Sequence, residues 1–224
     1  MGSNFIKIRS FFFLALTGLA ALFISCSQNT PELSTTDYSV IFDYENDETP
    51  PAARLSIFAA SVSDVRRYDK IRIKSLDTGI YWEADNIARL ESENIQWAGC
   101  SNLVAPENEQ LPTGKYEVTY INADEKECSV KLEVNYDIGL YEVLLSGLAE
   151  YMRAKRGIEK IAIYDKEHIL IYFGDRTENF RSTRDIWNFY REAYTYQVIW
   201  YTPDGRVICI EPEKAVAPES DVEN

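Results

Sequence analysis

The sequence predicts a mixed fold, with an all-β sandwich over residues 37–136 followed by an α+β domain over residues 137–212, an antiparallel sheet with two helices. Two observations carry this division. Between residues 38 and 134 apolar side chains recur at every second position in about seven short runs separated by turn residues, which is the period of strands. After Asp137 the apolar spacing lengthens to three and four, the period of a helix.

Tyr38, Val40 and Phe42 alternate with polar neighbours and begin the first strand. An acidic turn over residues 45–51 follows. Residues 54–60, 70–74 and 80–84 read as further strands, divided by Ser61-Val62-Ser63-Asp64 and by Asp77-Thr78-Gly79, both turn chemistry. Residues 95–97, 115–121 and 128–134 supply three more. The run Leu111-Pro112-Thr113-Gly114-Lys115-Tyr116-Glu117-Val118 delivers a tyrosine onto a strand where Tyr116, Val118 and Tyr120 share one face. This run resembles the tyrosine corner of immunoglobulin-like and fibronectin-type-III-like domains. The resemblance implies an immunoglobulin-like sandwich and a Tyr116 hydroxyl bonded to upstream backbone.

In the second segment Tyr141, Leu144, Leu145, Leu148, Ala149 and Met152 form one helical stripe. Asp137 is placed to cap its start and Gly157 to take the left-handed position at its end. A hairpin over residues 158–164 and 169–173 places Ile163 opposite Leu170 and Ile161 opposite Tyr172. A second helix over residues 182–193 opens on Ser182 and Asp185, a capping-box pair. The last hairpin turns at Pro203-Asp204-Gly205 and pairs Trp200 with Ile208 and Val198 with Ile210. Both hairpins are apolar on both sides, so their sheet should be covered twice. Two helices cover one face; the sandwich is the leading cover for the other, ahead of a second subunit or a ligand. Residues 213–224 read as a disordered acidic tail.

The start of the chain carries an address. Lys7 and Arg9 precede an apolar run over residues 11–24, the pattern of an export signal. The run is shorter than the ~20 residues a membrane-crossing helix needs. The junction Leu22-Phe23-Ile24-Ser25-Cys26-Ser27 resembles the lipobox of bacterial lipoproteins, in the looser spirochaete form that accepts Phe23. That resemblance implies a signal peptide over residues 1–25 and a lipid attached to Cys26, with a flexible tether over residues 26–36. The alternative is plain secretion, with cleavage near Gly18-Leu19-Ala20. Acyl chains on Cys26 would hold the protein on a membrane without help from its surface. Ser27, where an aspartate would retain enteric lipoproteins in the inner membrane, favours the outer membrane by analogy.

The chain carries 36 acidic and 23 basic side chains and a single histidine. Loss of residues 1–25 removes Lys7 and Arg9 and leaves a strongly acidic mature protein, which excludes nucleic acid as a partner over most of its surface. Cys100, Cys128 and Cys209 show no metal-ligand spacing. Cys100 with Cys128 is the candidate disulfide, and buried free thiols are the alternative. No nucleotide, cofactor or catalytic motif occurs.

With one histidine, Ser-His-Asp or Cys-His chemistry would have to run through His168, beside Asp165 and Glu167 and within reach of Asp175 and Arg176 if the strand ends converge. A solvated hairpin tip explains the same residues. Asp43, Glu45, Asp47 and Glu48 could meet calcium but lack the pattern of a calcium loop. Trp82 and Trp97 could stack on sugars, with Trp82 assigned to the core and Trp187 to the surface. Arg153, Lys155, Arg156, Lys160, Arg176, Arg181 and Arg184 gather positive charge, with Glu159, Glu178 and Asp185 to neutralise it. The reading that results is an envelope lipoprotein that binds a protein or glycan, or serves assembly, without catalysis or cofactor. The alternative is an envelope hydrolase acting through a carboxylate and His168.

Overall fold

The computed structural model describes residues 33–61, 68–92, 94–107 and 109–216. The signal, the lipobox and Cys26 lie outside the described residues. The chain is mostly β, with two antiparallel-rich sheets and two short helices.

The first eight strands are β1 (Leu33–Asp43), β2 (Ala52–Ser61), β3 (Tyr68–Ser75), β4 (Tyr81–Ala84), β5 (Ala88–Ser92), β6 (Ile95–Val104), β7 (Gly114–Asn122) and β8 (Glu127–Val134). One sheet runs β5-β6-β2-β1 and the other β4-β3-β7-β8. Strand alternation puts Val40, Phe42, Leu55, Ile57 and Ala98 in the same buried cluster as Ile71, Ile73, Tyr116, Val118 and Tyr120. β1 begins at Leu33, inside the stretch expected to be tether. β5 has no counterpart in the sequence reading, because every one of its five residues is exposed and its alternation carries no buried side.

The second segment adds β9 (Ile158–Tyr164), β10 (Leu170–Asp175), β11 (Thr195–Tyr201) and β12 (Val207–Ile210), with α1 (Leu145–Ala154) and α2 (Thr183–Phe189). β12 pairs in parallel with β1, Val40 with Val207 and Phe42 with Cys209. The first sheet therefore continues through β12, β11, β9 and β10, and the short β13 (Lys214–Ala215) beside β11 brings it to nine strands. Phe42 meets Tyr141 edge-on, with ring centres 5.2 Å apart. It also meets Tyr136 at 5.8 Å, and the two contacts join the sandwich interior to the layer beneath the helices.

This merger corrects the expectation that the sandwich covers the second face of the hairpin sheet. Edge pairing through β1 and β12 makes the two sheets one, so the four-stranded sheet and the helices lie side by side on the same face. Ile161, Ile163, Val198, Trp200 and Cys209 share a cluster with Leu148, Met152 and Ile186. The alternate residues, Ser39, Ile41, Ile199, Tyr201, Ile208 and Ile210, form the other face. No described element is layered on it. Charged side chains shield part of that face with their stems, Arg54 reaching Asp43 at 2.6 Å and Lys160 reaching Asp175 at 2.6 Å.

The predicted first helix is broken. Asp137 caps a 3₁₀ turn, Ile138–Glu142, and the backbone is extended at Val143 and Leu144 before α1 starts. Leu144 has no side-chain acceptor to offer, and Asp47 from the acidic turn caps α1 instead, accepting from Ser146 N at 2.6 Å. At the other end Arg156, not Gly157, takes the left-handed position, with φ 58°. Gly157 is needed for close approach. Its N–H donates to Met152 O at 2.7 Å. A Cβ there would lie 2.9 Å from that oxygen. α2 keeps its Ser182–Asp185 capping box but ends at Phe189.

Both hairpin registers differ from the expected ones. Tyr164 pairs with Leu170 and Ile163 with Tyr172, across an irregularity between Leu170 and Tyr172. In the last hairpin Arg206 joins the loop, so Trp200 faces Cys209 and Tyr201 faces Ile208. The tail expected to be disordered from residue 213 is ordered at its start. Lys214–Ala215 form β13 against Thr195 and Tyr196, and Val216 is buried. Residues 217–224 lie outside the described residues.

Candidate functional site

On the open face of the long sheet, β1, β2, β6 and β5 form a groove of about 280 Å³ lined by Asp37, Tyr38, Ser39, Ser56, Phe58, Leu90, Ser92 and Trp97. The pairing explains the hollow. Asp37 faces Phe58, Phe58 faces Gly99 and Gly99 faces Ala88, while in the next row Ala60 faces Trp97 and Trp97 faces Leu90. Small residues at 60, 88 and 99 thus alternate with large ones at 58, 90 and 97. The large ones, Phe58, Leu90 and Trp97, line the groove. A Cβ on Gly99 would lie 2.7 Å from Phe58 Cγ and closer still to Ile57 O. Glycine therefore lets β2 approach and lets the Phe58 side chain occupy the space above β6.

Polar groups stand on one side of the aromatic wall. Ser39 donates to Gly205 O at 2.7 Å. That bond keeps its oxygen lone pairs available. Asp37 lies 3.3 Å from Arg206. The Arg206 guanidinium sits 4.2 Å from the centre of the Tyr38 ring. The cation is held at the rim by ring and carboxylate together.

A second hollow, about 430 Å³, lies between the 3₁₀ turn, α1 and the 202–206 loop. Its polar groups are committed to one another. Asp137 accepts from Lys155 at 2.8 Å, from Tyr151 at 2.5 Å and from Gly139 N at 3.1 Å. The hydrogen bonds from Lys155 and then Tyr151 hold the Asp137 carboxyl at about 2, below the usual carboxylate range. Asp204 accepts from Thr202 at 2.6 Å and from Arg206 N at 3.1 Å. This arrangement fixes the junction of the segments.

His168 is explained by its turn. It takes the left-handed position, with φ 60°, closes the loop through its N–H to Asp165 O at 3.0 Å, and lays its ring 4.5 Å from that of Tyr164. Its Nε2 is 3.4 Å from Glu213. Asp165 accepts from Ile169 N. Asp175 and Arg176, expected as neighbours of His168, lie at the opposite end of β10 and pair with Lys160 and Glu159. The strand ends do not bring them together.

The positive residues are mostly neutralised in place. Lys155 pairs with Asp137, Arg176 with Glu159 and Arg181 with Glu178, while Arg153 covers the Trp200 ring at 5.4 Å. Asp185 is occupied by its cap. Among the described residues no group of three or more His, Cys, Asp or Glu side chains converges as a metal site.

Cys100, Cys128 and Cys209 are free thiols, so the candidate disulfide is not formed. Cys100 lies on β6 and Cys128 on β8, an edge strand of the other sheet. Burial pushes the Cys100 thiol up to about 11 and the Cys209 thiol up to about 12.

Of the tryptophans named for stacking, Trp82 packs against Tyr116 with ring centres 6.2 Å apart and donates to Val104 O. Trp97 lines the groove. Trp187 is half-buried beneath Arg191, and the exposed aromatic of α2 is Phe189. Sequence reasoning does not single out Phe58, Leu90 or Asp37. A signal for Phe58 exists in Leu55-Ser56-Ile57-Phe58, where an aromatic stands on the side opposite the core.

No protein-family model matches the chain, and no curated protein matches its sequence.

Proposed function

We propose that this chain is a lipid-anchored protein of the bacterial envelope, held through Cys26 and favouring the outer membrane, that acts by binding a ligand and not by catalysis. The anchor rests on the cationic start, the short apolar run and the lipobox-like junction at Cys26. Its scaffold is an immunoglobulin-like sandwich. Two features support that assignment. The strand order β5-β6-β2-β1 against β4-β3-β7-β8 corresponds to the two-sheet arrangement of such domains. Tyr116, near the start of β7, donates to Pro112 O at 2.6 Å as a tyrosine corner does.

The observation that carries the binding role is the groove on the open face, where aromatic walls, hydroxyls and a carboxylate converge on rigid strands. Loops and tips are not needed to build it. The test of the anchor is expression of the full chain and of Cys26→Ala with a clickable palmitate analogue. The native chain should take up label and sediment with membranes, and Cys26→Ala should lose the label and become soluble. Membrane retention of unlabelled Cys26→Ala would overturn the proposal.

A further inference from the structure

We infer that the groove between β1, β2, β6 and β5 receives one neutral sugar ring of a glycan. The inference rests on the binding role proposed above and names the ligand class. A sugar ring has one face of C–H groups and a rim of hydroxyls. It is held best where an aromatic side chain meets the apolar face and a carboxylate or hydroxyl meets the rim. Phe58 and Trp97 stand as diagonal neighbours on adjacent strands, with Leu90 beyond, and Asp37, Ser39 and Ser56 stand beside them.

Three further observations narrow the class. The groove encloses about 280 Å³. That is at the low end for small-molecule sites, which suits one ring and not an extended oligosaccharide. Arg206 is already paired with Asp37 and stacked on Tyr38, so the cation that the described residues bring to the rim is committed and not free for an acidic sugar. The acidic chain as a whole also repels anionic ligands. The openness of the groove on a sheet face, unlike a closed pocket, lets a longer glycan run out to solvent on either side of the bound ring.

The experiment is calorimetric titration of the mature chain, made soluble by Cys26→Ser, with the methyl glycosides of glucose, galactose, mannose and N-acetylglucosamine, and with methyl glucuronide as the anionic control. At least one neutral glycoside should bind saturably, and the glucuronide should bind more weakly. Trp97→Ala and Phe58→Ala should each weaken binding by at least about tenfold. Because these changes also remove packing, Ser92→Trp is the companion variant, expected to fill the groove from β5 and abolish binding with an unchanged thermal midpoint. Absence of saturable binding by every neutral glycoside would overturn the inference, as would binding indifferent to Ser92→Trp, or capture at these residues of unglycosylated peptide alone. None of these outcomes bears on lipid attachment at Cys26, which the labelling experiment tests separately.

Discussion

Asp137 shows how one side chain can serve several elements. Its carboxylate caps the 3₁₀ turn and receives both Tyr151 and Lys155 of the α1 region, and these bonds depress its pKa to about 2. The fold therefore favours the ionised form. Its contribution is present above the ordinary carboxylate value and is lost as pH falls through about 2. Asp137→Asn should flatten the dependence of the urea midpoint on pH between about 4 and 2, and an unchanged slope would show that the cluster contributes nothing. The opposite sign holds for the buried thiols and phenols. Burial raises Cys100, Cys209, Tyr44, Tyr116 and Tyr120 above their ordinary values. The stability that depends on their protonated forms is full below the unfolded values and falls as pH rises through the folded ones. Denaturation midpoints should drop above pH ~9. Ellman's reagent should label Cys100 and Cys209 only on unfolding, and rapid labelling of the native protein would contradict their burial.

At the scale of elements, the Tyr116 corner is the feature most directly read from sequence. A proline and a glycine deliver the tyrosine to β7, and its hydroxyl returns to Pro112 O. Tyr116→Phe leaves that carbonyl short of a donor. It should cost about 1 kcal/mol, lowering the melting midpoint by ~3 °C for a chain of this size; no shift would mean that water replaces the bond without loss. The strands that carry one buried side were legible for the same reason that they fold: alternation is what the core selects. β5 was not, because every one of its residues is exposed; it is held by pairing with β6 and by Arg89, which donates to Tyr68 O at 2.8 Å. Register was legible only as far as turn chemistry reached. Gly205 marked its turn, but the inclusion of Arg206 in the loop shifted every partner by one. The break before α1 was also hidden. A helical stripe reports which residues face the core, and it does not report that Asp47, far upstream in the chain, supplies the cap.

At the scale of the molecule, the pairing of β1 with β12 decides the architecture. Sequence periodicity marked a change from strand to helical spacing after Asp137 but could not show that strands on either side of it would pair, since parallel partners so far apart leave no local trace. With one continuous sheet and one buried cluster through both segments, urea unfolding should show a single transition by fluorescence and by circular dichroism. Two separated transitions would mean that the β1–β12 junction transmits little. The same pairing places helices and second sheet on one side and leaves the other with no described element over it, with the groove at its sandwich end. Trp97 was visible as a stacking candidate, whereas its partners came together only through the register of four strands.

The most direct test of that groove uses the four tryptophans of the chain as separate reporters. Trp97 lines the groove, Trp82 stacks on Tyr116, Trp187 lies on α2 and Trp200 is buried under Arg153. Their indole N–H signals should be followed by NMR while a neutral methyl glycoside is added to the labelled mature chain. The Trp97 signal should shift saturably, with those of Trp82, Trp187 and Trp200 unmoved. A Trp97 signal that stays fixed, or saturation reported by another tryptophan in its place, would contradict it.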